Sequence, residues 1–306
     1  MAVRFSILVP TYNRAEYVRQ AIESILAQTY SGYELFVIDD GSSDETPQLL
    51  ASYGSRIRAL RQANQGPEVA RNRAAAQAQG EYLVLLDSDD RLMPWALATY
   101  DRVIRAWNLP PLMIGSMKYF QEGDPIPTES DPASAIEAWR FPDYLAKNVP
   151  VGLSNSRIVL RRSLFEEVGG VRNSSPQTFH LDDFNLILKT GTYGPCAIVK
   201  TPATVAYRLH ESNSIRSAEA MARGILSLVS AERAGQYPGG KSRRFARYAC
   251  IGGIAQLWTM QAFKARQFKT AAGLLRRTAP MIAAAVMKKS FSLLRSSSTE
   301  LIAPGD

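Results

Sequence analysis

The sequence predicts an α/β fold built on a mainly parallel central sheet, with an α-helical region after it. Three observations carry that expectation. Short apolar runs alternate with helical patterns over residues 5–120. Two of the runs, Leu35–Ile38 and Tyr82–Leu86, are apolar at every position, as strands covered on both faces must be. Acidic clusters follow both runs directly: Asp39-Asp40 after the first and Asp87-Ser88-Asp89-Asp90 after the second. In an open α/β sheet ligands bind beyond the carboxyl ends of the strands, so these carboxylates stand where a ligand would.

Each element follows in order. Phe5–Val9 is an apolar strand, and Asn13 is placed to cap a helix with Val18, Ala21, Ile22, Ile25 and Leu26 on one face. After Leu35–Ile38, Ser42 with Glu45 reads as a capping box for a short helix through Leu50. A weaker strand at Ile57–Leu60 precedes an alanine-rich helix, Glu68–Gln79, which Gly80 ends. Tyr82–Leu86 follows, then a helix from Pro94 to about Trp107 and a strand over Leu112–Phe120. Repeated strand–helix units imply right-handed parallel crossovers.

From 121 to 150 the regularity is lost. Pro125, Pro127, Pro132, Pro142 and Pro150 punctuate a stretch that reads as irregular with one short helix. Beyond it come a strand at Arg157–Leu160, a helix at Arg162–Val168, a helix at Asp183–Lys189, and strands near Ala197–Val199 and Val205–Leu209. After Ser217 only helical patterns appear, and the last ten or so residues read as frayed. The expected division is residues 1–215, with halves near 1–120 and 121–215, followed by a helical region, 216–306.

Charge is distributed unevenly. Of the 306 residues, those from 216 onward carry 15 Lys/Arg against 4 Asp/Glu, a net of +11, while the first 215 carry 21 against 24, a net of −3. A basic tail on an acidic body points to an anionic partner. Basic residues cluster at Lys241–Arg244, Arg276-Arg277 and Lys288-Lys289, among apolar positions such as Ile251, Ile254, Leu257, Trp258, Ala271, Leu274 and Leu275. That pattern suits either helices lying on an anionic membrane surface or helices packed on the preceding domain with a solvated basic face. No nucleic-acid recognition motif accompanies the charge, so nucleic acid is not the expected partner. Two cysteines give no disulfide framework, the first residues have no signal-peptide layout, and no apolar stretch reaches membrane-span length. The expectation is a cytoplasmic protein, with peripheral attachment to the inner face of the cell membrane open to the tail.

Crowded carboxylates repel one another unless a cation or a ligand offsets their charge. Hard cations such as Mg²⁺ use one or two carboxylates together with substrate phosphates, so the two clusters read as a metal-bridged phosphate site. The turn after the first strand, Pro10-Thr11-Tyr12-Asn13, lacks the Gly-x-Gly-x-x-Gly loop of dinucleotide-binding dehydrogenases. It also lacks the glycine-rich basic loop of sugar-phosphate nucleotidyltransferases.

Over residues 4–215 the chain resembles the family 2 glycosyltransferases, inverting enzymes of the GT-A fold. Five segments carry the resemblance, in the family's order: Val9-Pro10-Thr11-Tyr12-Asn13, Ile38–Asp44, Ala70-Arg71-Asn72-Arg73, Leu86-Asp87-Ser88-Asp89-Asp90, and Leu181–Lys189 with its Asp182-Asp183 pair. Tyr207-Arg208-Leu209-His210 resembles the closing motif. The resemblance implies transfer of a sugar from a nucleotide-diphosphate donor, UDP-sugar first, to an acceptor hydroxyl in bacterial polysaccharide or glycoconjugate synthesis. It implies nucleotide-sugar contacts from Pro10, Tyr12, Asp40, Arg71, Asp87 and Ser88, with Asp40 taking the imide N–H of uracil. Asp89 and His210 would hold a divalent metal, Mn²⁺ or Mg²⁺. Asp183 is the implied base, with Asp182, where the family often has glutamate, beside it. The implied acceptor is a glycan or a lipid-linked molecule. The alternative is a non-catalytic nucleotide-sugar-binding or scaffold protein on the same fold.

Overall fold

The computed structural model describes residues 4–124, 135–147, 151–171, 181–210, 218–292 and 299–303. His180 and all the prolines of the 121–150 stretch except Pro142 lie outside them. Twelve strands are present among these residues: β1 (Phe5–Thr11), β2 (Tyr33–Asp39), β3 (Arg58–Arg61), β4 (Tyr82–Leu85), β5 (Arg91–Leu92), β6 (Leu112–Ile114), β7 (Met117–Gln121), β8 (Ile136–Phe141), β9 (Ile158–Arg161), β10 (Cys196–Thr201), β11 (Val205–Leu209) and β12 (Glu300–Ile302). The helices are α1 (Ala15–Leu26), α2 (Thr46–Ser52), α3 (Pro67–Ala75), α4 (Ala96–Ala106), α5 (Arg162–Glu167), α6 (Asp182–Thr190), α7 (Ala218–Arg233), α8 (Arg244–Lys264) and α9 (Phe268–Ser292).

The main sheet runs β12-β8-β10-β6-β9-β4-β1-β2-β3, and a small second sheet runs β5-β11-β7. The α/β class is as expected, and the main sheet is mixed. Strands β3-β2-β1-β4 are parallel, as are β6 and β10, while β9, β8 and β12 join antiparallel. Strand β9 lies between β4 and β6. Because it is antiparallel, the residues just before it arrive at the carboxyl ends of its neighbours, where the acidic clusters stand. Apolar side chains fill both faces of the central strands: Leu8, Phe36 and Leu83 on one side, Ile7, Val37 and Val84 on the other.

Several local expectations change. Asn13 does not cap α1; it has φ +50 and its side-chain oxygen accepts from Ser43 N at 2.8 Å. Ser42 forms no capping box, since its hydroxyl accepts from Asn13 N at 2.9 Å. The two polar turns after β1 and β2 are thus tied to each other. The single strand expected over Leu112–Phe120 is two, broken at Gly115, where an added Cβ would stand 2.3 Å from the Tyr100 hydroxyl and 2.5 Å from Thr204 Oγ1. Only a glycine lets the chain leave the main sheet there.

Inside the irregular stretch lies strand β8, with Ile136 and Ala138 buried on one face and Phe141 on the other. The frayed end is a strand as well: β12 pairs with β8, and Arg102 Nη2 donates to Ile302 O at 3.3 Å and Ala303 O at 2.6 Å. Helices α7–α9 are packed rather than appended. Met221, Ile225, Leu228, Ile251, Leu274 and Met281 belong to one buried cluster with Leu83, Ile114 and Leu186. Burying such a side chain stabilises by about 1.5–3 kcal/mol, so removal of residues 218 onward would strip the preceding α/β body of part of its core.

Candidate active site

The turn after β2 holds the first acidic cluster. Asp39 Oδ1 accepts from Ser42 N at 2.8 Å and braces that turn. Asp40 is buried and reaches across to the loop before α3: its Oδ1 accepts from Gln65 N and Gln62 Nε2, both at 2.9 Å, and its Oδ2 from Gly66 N at 2.7 Å. A carboxylate has about four acceptor positions, so the loop takes most of this one. Gly66 has φ 96 and ψ 160, a region open essentially to glycine alone. Gly66→Ala is expected to lower stability by about 1–3 kcal/mol, read as a shifted denaturant midpoint with an unchanged slope.

The second cluster lies at the end of β4. Carboxylate oxygens of Asp87, Asp89 and Asp90 come within 4.8 Å of one another. Asp90 is fully buried; Ser156 Oγ donates to its Oδ2 at 2.5 Å and Arg208 N to its Oδ1 at 2.9 Å. Asp87 N in turn donates to Ser156 Oγ at 3.0 Å. Burial, then repulsion from Asp89 and Asp87, pushes the Asp90 carboxyl well above the ordinary carboxylate range. Asp87 is pushed up to about 6, by burial against the pull of Arg71 and with a push from Asp89 and Asp182. For Asp89 burial pulls the other way, but the bond to His210 and the charge of Arg14 win and hold it low. Its Oδ2 meets Arg14 Nη1 at 2.5 Å and His210 Nε2 at 2.9 Å.

The late acidic pair starts α6. Asp182 is buried, and its Oδ2 accepts from Arg71 Nη1 at 2.7 Å and from Asn155 Nδ2 at 3.0 Å. Arg71, only 1% exposed, donates through its other terminal nitrogen to Asp87. One guanidinium therefore joins two acidic motifs that stand far apart in the sequence. Asp183 is half-buried, accepts from Phe184 N at 2.7 Å, and lines a large cavity beside the site. Its carboxyl is raised well above the usual range by burial and by Asp182, against the Phe184 N–H.

The donor set fits a hard divalent cation. Three clustered carboxylates and one imidazole are present, the Asp87 and Asp90 carboxyls are pushed toward the neutral form by burial and by repulsion from neighbouring carboxylates, and a +2 charge would offset both.

A family model described as glycosyl transferase family 2 matches residues 6–169, more than half of the chain. The chain belongs to this family. Glycosyltransferase GlyG of Streptococcus pneumoniae serotype 4 is 31% identical over 128 residues, 40% of this chain and 42% of that protein. The uncharacterized glycosyltransferase YibD of Escherichia coli K12 is 36% identical over 94 residues, 30% of this chain and 27% of its own length. An uncharacterized glycosyltransferase of Rickettsia felis is 42% identical over 89 residues, 28% of this chain and 15% of that protein. The chain thus spans less than half the length of these relatives. Among solved structures, S. aureus TarS 1–349 in complex with UDP aligns over 99% of this chain and 98% of its own, with a TM-score of 0.57 at 17% identity. TarS 1–349 in complex with UDP-GlcNAc aligns over 89% and 90%, with a TM-score of 0.53. At that identity the likeness shows the GT-A fold.

Within this family 2 fold, the residues singled out from the sequence gather at the ends of β1, β2 and β4, with some changes of place. Tyr12 is 45% exposed at the end of β1, so it is no core aromatic, while Pro10 is buried in that strand. Ser88 is buried in the turn. Arg71 is buried, with its terminal nitrogens engaged by Asp182 and Asp87. Arg73 is a surface residue donating to Arg61 O at 2.7 Å. Arg208 pairs with an acid, Glu122, at 2.6 Å. Sequence reasoning missed Arg14, Asn155 and Ser156. The signal for the last two was the polar run Ser154-Asn155-Ser156 directly before an apolar strand; what hid it was the antiparallel direction of β9.

Proposed function

We propose that the chain is an inverting glycosyltransferase that moves a sugar from a nucleotide-diphosphate donor, UDP-sugar first, to an acceptor hydroxyl. The observation that carries this reading is the Arg71 clamp. It holds the strand-end carboxylates and the α6 carboxylates at one site, with Asp183 left facing a cavity. The solved TarS structures with UDP and UDP-GlcNAc support a uridine donor by analogy of fold. Tyr12, exposed at the end of β1, offers a ring face for a base.

Asp87 and Asp89, with His210 beside them, are the residues that would hold Mn²⁺ or Mg²⁺. A bound cation supplies Lewis-acid stabilisation of the negative charge on a departing diphosphate. Asp183 takes the proton of the acceptor hydroxyl as its oxygen bonds to the anomeric carbon. The bond from that carbon to the diphosphate oxygen breaks on the opposite face, and the nucleoside diphosphate leaves with its electron pair. Asp182 positions Arg71 and, as a like charge, keeps Asp183 basic.

The direct test is a donor screen with purified protein and Mn²⁺ or Mg²⁺, reading nucleoside diphosphate release. No release and no binding of any nucleotide would exclude the reading. A pH profile gives a second check. A base works only when deprotonated, and the Asp183 carboxyl is raised, so activity should fall with decreasing pH at values above the ordinary carboxylate range. Asp182→Asn removes the neighbouring negative charge, so it should move that acid limb to lower pH.

A further inference from the structure

The cavity that Asp183 faces has a volume of about 900 Å³ and lies between the catalytic sheets and the tail helices. Its walls are mostly apolar: Tyr119 of β7, Leu181 and Phe184 around the late motif, and Ile254, Leu257 and Trp258 of α8. Among the described residues the one cation on its lining is Lys147, whose ammonium sits 4.3 Å from the centre of the Tyr144 ring. A pocket built only for a free sugar would carry many polar groups to match its hydroxyls. Here the polar group at one end is the candidate base, and the remainder suits a hydrocarbon chain.

The same cavity opens toward the hairpin between α8 and α9, since Gln261, Ala265 and Gln267 form part of its rim. At the tip Phe263 and Phe268 are 63% and 57% exposed, stacked edge to face with their centres 5.4 Å apart. Lys264, Arg266 and Lys269 surround them and are exposed. Leu257 and Met260, 52% and 53% exposed, continue the apolar row from the cavity rim to the tip. Between Glu232 and Glu300 the sequence holds no acidic residue, so nothing on these helices repels an anionic surface. Exposed aromatics flanked by cations on a helical tip are the chemistry of a monotopic contact with anionic lipid.

We propose that this cavity receives the acceptor and that the acceptor is a lipid-linked saccharide, taken from a membrane on which the α8–α9 tip rests. Its hydrocarbon chain lies along α8 against Ile254, Leu257 and Trp258, and the phosphate of its carrier meets Lys147. Its free sugar hydroxyl reaches Asp183, to which the hydroxyl proton passes as the new glycosidic bond forms and the donor's anomeric carbon–oxygen bond breaks, the electron pair leaving with the nucleoside diphosphate. About 15 Å of α8 separates Gly253, on the cavity wall, from Phe263 at the tip, so a chain leaving the cavity arrives at the lipid surface. The acceptor class rests on the glycosyltransferase reading; the cavity and the tip do not.

Gly253 supplies the test, because it lines the cavity and an added Cβ there meets nothing within 4 Å. Monomeric farnesyl phosphate is titrated into the full chain, with Trp258 emission as the readout and Trp258→Phe as the control for its origin. Saturable binding is expected, at least ten-fold weaker in Gly253→Phe, with inorganic phosphate giving no response. UDP binding with Mn²⁺, measured on the same samples, should be unchanged by Gly253→Phe. Vesicles of phosphatidylglycerol at low salt should sediment the parent chain and fail to sediment Phe263→Ser/Phe268→Ser. Absence of farnesyl phosphate binding, or equal affinity in Gly253→Phe, overturns the lipid-linked acceptor. Equal sedimentation of parent and double variant overturns the membrane-resting tip. Failure of the parent to bind any nucleotide, with farnesyl phosphate still bound, would instead sink the transferase reading and with it the acceptor role of the cavity.

Discussion

Asp183→Asn is expected to lower sugar transfer by about 10²–10⁴-fold, the usual contribution of a general base, while donor binding stays nearly intact. The asparagine keeps the shape and can still accept the Phe184 N–H bond, so the fold has no reason to change. What disappears is the only acidic group at the head of α6 that faces the cavity. Asp182→Asn should act differently. Asp182 is spent on Arg71 and Asn155, so its loss leaves a buried guanidinium with one carboxylate partner instead of two. Leaving a buried charge wholly unpaired destabilises by about 3–5 kcal/mol; with Asp87 still paired to Arg71 the loss should be smaller, and a thermal melt should register it before turnover does. Steady-state kinetics paired with nucleotide titration separates the two outcomes. A larger loss of transfer in Asp182→Asn than in Asp183→Asn, at equal thermal stability, would exchange the roles of the two residues.

Asp89→Ala should abolish metal-dependent donor binding. Asp89 is the one carboxylate of the cluster held below its ordinary range, by His210 and Arg14 against the burial that opposes them, and therefore the one ready to meet a cation in charged form. Asp87 and Asp90 are raised, and Asp90 already accepts from Ser156 and from a backbone amide. Lewis-acid assistance is worth several kcal/mol, and each 1.36 kcal/mol is ten-fold in rate, so turnover should fall by about 10²–10⁴-fold. Isothermal titration with UDP in the presence and absence of Mn²⁺ checks the binding term directly. Affinity that is unchanged in Asp89→Ala would remove this residue from any metal site. His210→Ala should weaken the same binding less, since the imidazole touches Asp89 at 2.9 Å and Arg14 remains on the same oxygen.

The sequence by itself determined the parallel half of the sheet and the location of the acidic groups. Apolar runs such as Leu35–Ile38 and Tyr82–Leu86 are local signals, and a polar cluster at the end of a buried strand has nowhere to go but the sheet edge. Where the pattern was weak, the loss of signal had a physical source. In β8 only Ile136 and Ala138 share a buried face, a signal that is short and set among prolines. The strand at Glu300–Ile302 is three residues long and is held by pairing with β8, not by its own propensity. Tertiary structure alone decided which charge serves which. Arg71 meets Asp182 across 111 positions, and Asp40 binds the loop at Gly66 across 26. Such pairs leave no periodic trace, because a hydrogen bond depends on where two chains of atoms come to lie and not on the residues beside each in sequence. The tail shows the same division. Its net charge of +11 was legible at once, but charge counts carry no direction. Only packing against the catalytic body turned one face of these helices into core and another into a cavity wall, leaving the aromatic tip and its cations outside.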